Sequence, residues 1–469
     1  MYWANFLHIY QPPTQKPYWI KRVSEESYWK IFRLFLENPR AKITMNISGI
    51  LFELFEKNGQ NDIIEMIKKL FDQGRLEVTG SAKYHPLLPF LPKQEIIRQI
   101  KLNEETLCHY LGKNFRPNGF FPPEMGFFPE LSPILEELGY KWIIVDELSF
   151  PKQAAKQQYN RIYQASNAKD FSIFFRERKM SWVILSGQIG TGKLLLQSLG
   201  DRLKKNEYLI TAMDGETFGH HRPGLEMLLF EIYNSNKIKN VKISELLDLF
   251  PQREEIEPQA STWALMEKDL EKKKPFARWQ DDDNEIHKAQ WELTKLAIDS
   301  VEKYESNSPE YQKARRSLDK ALHSDQYWWA SARPWWSIEM IELGAKELYE
   351  SIISCPEMPE EIKEKAKKLY HKIVFTAFDW QRAGIIEKLS RSEDEEIRQR
   401  TDESLPRLPK KEVEKMVNRL KKEMKLVANR QEYERAAQVR DRIKELKKYS
   451  SEEKLEPSSE GNKEFNLNK

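Results

Sequence analysis

Two cysteines in 469 residues, Cys108 and Cys355, leave no room for a disulfide framework and fit a reducing compartment. No run approaches the roughly 18 apolar residues that a membrane-spanning helix needs. The sequence enters an apolar, motif-bearing stretch at Tyr2 with no basic segment before it, so a cytoplasmic location away from membranes is expected. Charge of one sign is also missing, because 76 Lys and Arg stand against 73 Asp and Glu. No global field therefore argues for nucleic acid as a partner. The eight histidines, at 8, 85, 109, 220, 221, 287, 323 and 371, include no two that are three to five residues apart. Ligand pairs on one helix face are lacking, and neither a metal nor another cofactor is expected.

What the chain does have is a charged fraction of 32%, above the usual 25% or so, and enough length for two or three domains. Short apolar runs recur at Tyr2 to Ile9, Ala41 to Ile47, Arg75 to Thr79, Gly119 to Phe121, Trp142 to Val145, Phe171 to Phe175 and Tyr208 to Ala212. Helical patterns fill most of the gaps, which predicts an α/β fold with a parallel sheet, open or closed into a barrel. From about residue 251 the strand signal fades. Residues 285–304, 308–322 and 338–353 then read as helices of a bundle packed on the sheet.

Two carboxylates stand where parallel strands are expected to end. Asp214 follows Tyr208 to Ala212 in Met213-Asp214-Gly215-Glu216-Thr217-Phe218-Gly219-His220-His221, and Glu124 follows the aromatic run and double proline of Phe120-Phe121-Pro122-Pro123. In α/β barrels the reacting groups sit at such strand ends. Two carboxyls are also what glycoside hydrolysis needs, one to protonate the leaving oxygen and one to attack C1 or activate water. Either acid alone could equally be a helix cap or a surface ion pair.

Five segments together resemble glycoside hydrolase family 57, over most of residues 1 to about 345. They are Leu7-His8-Ile9-Tyr10-Gln11-Pro12-Pro13; Gly74 to Gly80 followed by Tyr84-His85-Pro86-Leu87; Phe121-Pro122-Pro123-Glu124; Asp214 to Gly219; and His323-Ser324-Asp325-Gln326-Tyr327-Trp328-Trp329. The resemblance implies an incomplete seven-stranded (β/α) barrel over 1–250, with a helical bundle over 251–387 completing the active site. It also implies a retaining enzyme on α-glucans, with Glu124 as nucleophile and Asp214 as acid/base. Substrate contacts would come from His8, Tyr10, Gln11, His85, Phe121, Glu216, His220, Asp325, Trp328 and Trp329. Tyr10 stands where the family's first motif has a second histidine, and Phe121 where its third has tryptophan, so substrate preference is open. An α-amylase-like hydrolysis is expected, with 4-α-glucanotransferase or branching transglycosylase as the alternatives. A glucan-binding regulatory protein with little turnover and a nucleotide- or metal-dependent enzyme are the readings from other classes.

The helical region is rich in tryptophan, with Trp263, Trp279, Trp291, Trp328, Trp329, Trp335 and Trp336. Indole faces stack on sugar rings or simply fill cores. Gly187-Gln188-Ile189-Gly190-Thr191-Gly192-Lys193 fits the phosphate-loop pattern, but Leu194 stands where a magnesium-binding Ser or Thr is expected. The glycines read instead as a flexible barrel loop.

Residues 388–410 form a charged, proline-punctuated linker. Val413, Val417, Leu420, Met424 and Ala428 then recur at helical steps. The stretch Gln431 to Ile443 resembles the UVR motif, a short helical hairpin used for protein contacts, here over 411–448. Its 39 residues from 410 to 448 carry 14 basic and 7 acidic side chains. A hairpin this small buries little by itself and is expected to pack on a protein partner, on a second copy or on the catalytic body. Residues 449–469, rich in Ser, Glu, Asn and Lys, read as a disordered tail.

Overall fold

A computed structural model describes residues 1–151, 156–304, 307–391, 408–448 and 450–451. Each of the seven apolar runs forms a parallel strand: β1 (Tyr2–Ile9), β2 (Ile43–Ile47), β3 (Leu76–Val78), β4 (Gly119–Phe120), β5 (Trp142–Asp146), β6 (Ser172–Arg176) and β7 (Tyr208–Asp214). One sheet runs β3-β2-β1-β7 and another carries β4-β5-β6. Two narrow seams join them into a barrel in chain order. At one, the Gly80 amide donates to the Gly119 carbonyl (2.9 Å) and the Phe121 amide to that of Gly80 (3.0 Å). At the other, the Glu177 amide donates to the Ile210 carbonyl (2.9 Å).

Strand alternation sorts the side chains. Ala4 and Phe6 of β1, Ile144 of β5, Phe174 of β6 and Ile210 and Ala212 of β7 fill the interior. Trp3, Leu7 and Ile9, with Leu209 and Met213, face the surrounding helices. Val241, Ile243, Leu246 and Phe250 close the floor. Half-buried Glu77 of β3 accepts there from Thr44 Oγ1 (2.8 Å) and from the Ser244 hydroxyl.

Two four-residue strands were not foreseen. Ile162–Ala165 runs antiparallel to β6, and Arg253–Ile256, beyond residue 251, pairs parallel with Ile162–Ala165. The pairing of Arg253–Ile256 is non-local, and Arg253-Glu254-Glu255-Ile256 has almost no apolar content by which a strand would be recognised. Helices Glu285–Lys303, Pro309–Ala321, Ile338–Ile353 and Glu360–Arg382 pack against the β4 and β5 side, sharing a core with Phe120, Ile143 and Val145. No helix among the described residues is long and apolar enough to cross a membrane.

The C-terminal hairpin consists of Lys410–Asn429 and Tyr433–Lys448. Of the occupants open to it, it takes the catalytic body. Val413, Met416, Val417, Leu420, Val439, Ile443 and Leu446 join one core with Ile184, Ile189, Leu194 and Leu228 of the barrel wall, each burial worth roughly 1.5–3 kcal/mol for a large aliphatic side chain. The loop at 187–193 is correspondingly not a flexible surface loop. Residues 187–192 are buried, Arg442 donates to the Gly187 carbonyl, and Glu412 meets Thr191 Oγ1 (3.2 Å) and Lys193 Nζ (3.0 Å). Gly190 lets the hairpin approach closely, since a Cβ there would run into the Met416 sulfur. The loop also follows a helix, Arg178–Leu185, not the strand that a phosphate loop requires. Most of the expected linker, 392–407, and nearly all of the expected tail lie outside the described residues.

Candidate active site

The inward face of β1 is apolar at Ala4 and Phe6 and then, at the same two-residue step, presents His8 and Tyr10. On β7 the inward face runs Ile210, Ala212, Asp214. The two strands are in register, with Phe6 opposite Ala212 and His8 opposite Asp214. One period therefore carries both strands from core to chemistry at the same end of the barrel, the C-terminal end where βα loops gather.

Glu124 enters from the end of β4. The double proline holds Pro122 extended, and Glu124 then adopts φ 60° and ψ 17°. Its neighbour Met125 (φ 48°) and His85 (φ 58°) are also left-handed, a conformation that costs a non-glycine residue on the order of 1–2 kcal/mol. Strain of this kind concentrates at functional sites. Trp263 holds the turn at both ends, donating its indole N–H to Glu124 Oε2 (2.9 Å) and its amide to the Glu124 carbonyl (3.3 Å).

Around these acids the rings of the first three motifs form a stack. His8 lies 4.6 Å from Phe121 and 5.0 Å from His85, and Tyr10 lies 4.1 Å from His85, all nearly parallel. His8 is fixed by Asn46 (2.8 Å) and His85 by Ser324 (3.1 Å). Burial pushes His85 down to about 4 and His8 well below the usual range, so both imidazoles are neutral at neutral pH. His85 Nδ1 is 3.8 Å from Glu124 Oε1, and its buried Nε2 has no hydrogen-bond partner among the described residues. Tyr10 donates to Asp325 (2.7 Å). His323 lies 3.2 Å from that carboxylate and 3.5 Å from Glu347. Burial opposes charge on His323, but the two acids lift it to about 9.

Electrostatics single out three carboxyls. Burial raises Glu124 to about 8, helped by the charges of Asp325 and Asp214 and opposed by the Trp263 hydrogen bond. Burial also raises Asp214 to about 6 against the pull of Arg176. Glu216 goes up to about 8 through burial and the nearby Asp214, although Tyr28 and Gln11 both donate to it. Buried acids kept partly protonated near neutrality are poised for proton transfer.

Not every candidate reaches this centre. His220 is turned away from it onto Glu26 (2.5 Å). Trp328 packs on Trp279 (5.1 Å) under Arg278, and Trp329 lies against the helical core beside Trp335 (6.1 Å). Two site residues escaped the sequence reading although the same strand-end rule would have found them. Asp146 ends β5 and Arg176 ends β6, where they pair at 3.0 Å, with Arg178 on the other Asp146 oxygen (2.7 Å). Trp263 offered no such signal, being one tryptophan among several. Among the described residues no three His, Cys, Asp or Glu side chains gather as a metal site.

A family model described as glycosyl hydrolase family 57 matches residues 7–259, and the UvrB/uvrC motif matches 414–449. An alpha-amylase of Pyrococcus furiosus is 24% identical over 364 residues, 69% of this chain and 54% of that protein. A 4-alpha-glucanotransferase of Thermococcus litoralis is 24% identical over 353 residues, 65% and 51% respectively. The chain thus spans about half the length of these curated relatives. The crystal structure of a branching enzyme from Pyrococcus horikoshii superimposes with a TM-score of 0.59 at 17% identity, covering 80% of this chain and 96% of that one. That of the Thermococcus litoralis 4-alpha-glucanotransferase gives 0.58 at 18% identity, covering 75% and 58%. At such identities the structures speak for the fold, which is the incomplete seven-stranded barrel. The family model, spanning more than half of the sequence and both carboxylate-bearing strand ends, makes the chain a member of glycosyl hydrolase family 57.

Proposed function

We propose that this chain is a retaining enzyme that cleaves α-glucosidic bonds of α-glucans, with Glu124 as nucleophile and Asp214 as general acid and then base. The observation that carries the reading is the pair of half-buried carboxyls at the ends of β4 and β7, close enough that the charge of Asp214 raises Glu124. Asp214 donates its proton to the leaving glycosidic oxygen while Glu124 attacks C1; water or a sugar hydroxyl, deprotonated by Asp214, then displaces Glu124. Among the protein's own groups Glu124 holds a proton more tightly than Asp214 does, the reverse of what attack needs. A bound glucosyl ring alters that order, because positive charge developing at C1 lies against Glu124 and favours its ionised form.

The neutral His8 and His85, with the unpartnered His85 Nε2, suit hydroxyl recognition at the sugar bound next to Glu124. Glu216, held by Tyr28 and Gln11, is a second proton reservoir beside Asp214. The curated relatives are named for hydrolysis and for glucan transfer, and the acceptor is read directly from products. The unpaired Cys108 and Cys355 fit a cytoplasmic enzyme.

Maltoheptaose turnover followed by proton NMR tests the reading. First-formed products with the α anomer indicate retention, glucose-count ladders above seven indicate transfer, and Glu124→Ala with azide should yield a β-glycosyl azide. Inverted first products, or a Glu124→Gln enzyme within about tenfold of wild type where ~10³-fold loss is expected, would overturn it.

A further inference from the structure

We infer that Arg435 of the C-terminal hairpin is a positioning residue for the loop Gly215 to His221, so that the hairpin forms part of the catalytic machinery. The inference rests on the assignment of Asp214 above.

The loop is held from inside by the π-helical turn Ser24–Tyr28. Ser27 Oγ donates to the Gly215 carbonyl (2.9 Å), Tyr28 donates to Glu216, and Glu26 meets the His220 ring. Gly219, at φ 113°, lets loop and turn come together, since a Cβ there would strike the Glu26 carbonyl. The loop's outward side is covered by the helix Tyr433–Lys448. Arg435, its side chain 3% exposed, donates from Nη1 to the His220 carbonyl (3.1 Å) and Glu26 Oε2 (3.3 Å). Its Nη2 donates to the Gly219 carbonyl and to Glu423 (3.4 Å). Arg22 ties the turn to the hairpin, reaching Glu26 (3.0 Å) on one side and Glu434 (3.3 Å) and Gln438 (3.4 Å) on the other.

A guanidinium is suited to this place, because its planar fork satisfies two adjacent carbonyls and two carboxylates at once, which an ammonium cannot do. Removing it leaves the Gly219 and His220 carbonyls without their donor in a buried interface, and the loop must move to hydrate them. Movement at Gly219 is passed on, because the His221 amide bonds the Glu216 carbonyl (2.8 Å) and Asp214 lies only five residues before Gly219. Displacements of about 1 Å at a reacting group can cost on the order of a hundredfold in rate. The hairpin's other polar contacts lie elsewhere: Lys415 and Arg419 reach Glu231 at 3.0 and 2.6 Å.

The test compares Arg435→Ala, Arg435→Lys and Lys415→Ala in the full chain. Amide hydrogen exchange should rise across 215–221 in both Arg435 variants and not in Lys415→Ala. On maltoheptaose, kcat of both should fall at least about tenfold with a smaller change in KM, and millimolar guanidinium should restore part of it in Arg435→Ala. Arg435→Lys keeps charge and stem, so a folding failure of the alanine variant does not remove the test. Unchanged exchange at 215–221, or full activity in Arg435→Lys, would overturn the inference. Absence of turnover in the wild type would overturn the functional assignment alone, since the exchange measurement needs no substrate.

Discussion

Trp263 donates its indole N–H to Glu124 Oε2 across 2.9 Å, from 139 residues further along the chain. That bond stabilises the ionised carboxyl and works against the burial that raises it. Replacing Trp263 with Phe removes the donor and keeps most of the ring. A hydrogen bond to a charged acceptor is worth roughly 1.5–3 kcal/mol, so kcat/KM should fall about ten- to a hundredfold. The high-pH limb of the profile should move upward, because the carboxylate form has lost support. An unshifted limb would assign that limb to a different group.

The pH profile of the wild type follows from the same pair. The proposed mechanism needs one proton shared between Glu124 and Asp214. It should be lost as pH falls below about 6, where Asp214 also protonates, and as pH rises above about 8, where Glu124 gives up its proton. A bell in kcat/KM between these limits is expected, its limbs belonging to the coupled site. A flat profile from pH 5 to pH 9 would contradict the assignment.

Asp214→Asn keeps the shape of the residue and removes its proton chemistry. An aryl α-glucoside with a good leaving group should retain much more of its turnover than maltoheptaose, because its departure needs no acid. Equal losses on both in the first chemical step would move the acid role to Glu216.

Much of this was legible in the sequence, and the reason is periodic. The seven strands are short, continuous and apolar, and both carboxyls sit where such runs stop. The motif residues His8, Tyr10, His85, Phe121 and Asp325 also meet at the mouth. What was not legible depended on distance in space. Nothing local marks Trp263 as the partner of Glu124, and an amphipathic stripe such as Val413, Val417, Leu420 states that it needs a cover without saying which. The expectation of a flexible loop at 187–193 failed for the same reason, since glycines that free a loop also let a helix approach it closely.

Leu420, 2% exposed, tests that cover directly. Its replacement by Asp buries a carboxylate against the barrel wall and should lower the urea midpoint by an amount equivalent to about 3 kcal/mol or more. Removing everything after residue 391 should expose Ile184, Leu194 and Leu228 and lead to aggregation or partner capture. A truncated protein that melts like the full chain would show that the core is complete without the hairpin.

The left-handed backbone at Glu124 carries one more consequence. The residue that the proposed chemistry requires there is one whose backbone conformation and ionised form the surroundings both disfavour. Glycine adopts φ 60° freely and leaves no carboxyl to desolvate, so Glu124→Gly should melt at a higher temperature than wild type while turning nothing over. Selection for stability alone would therefore erase this position, and its glutamate persists only where catalysis is also selected.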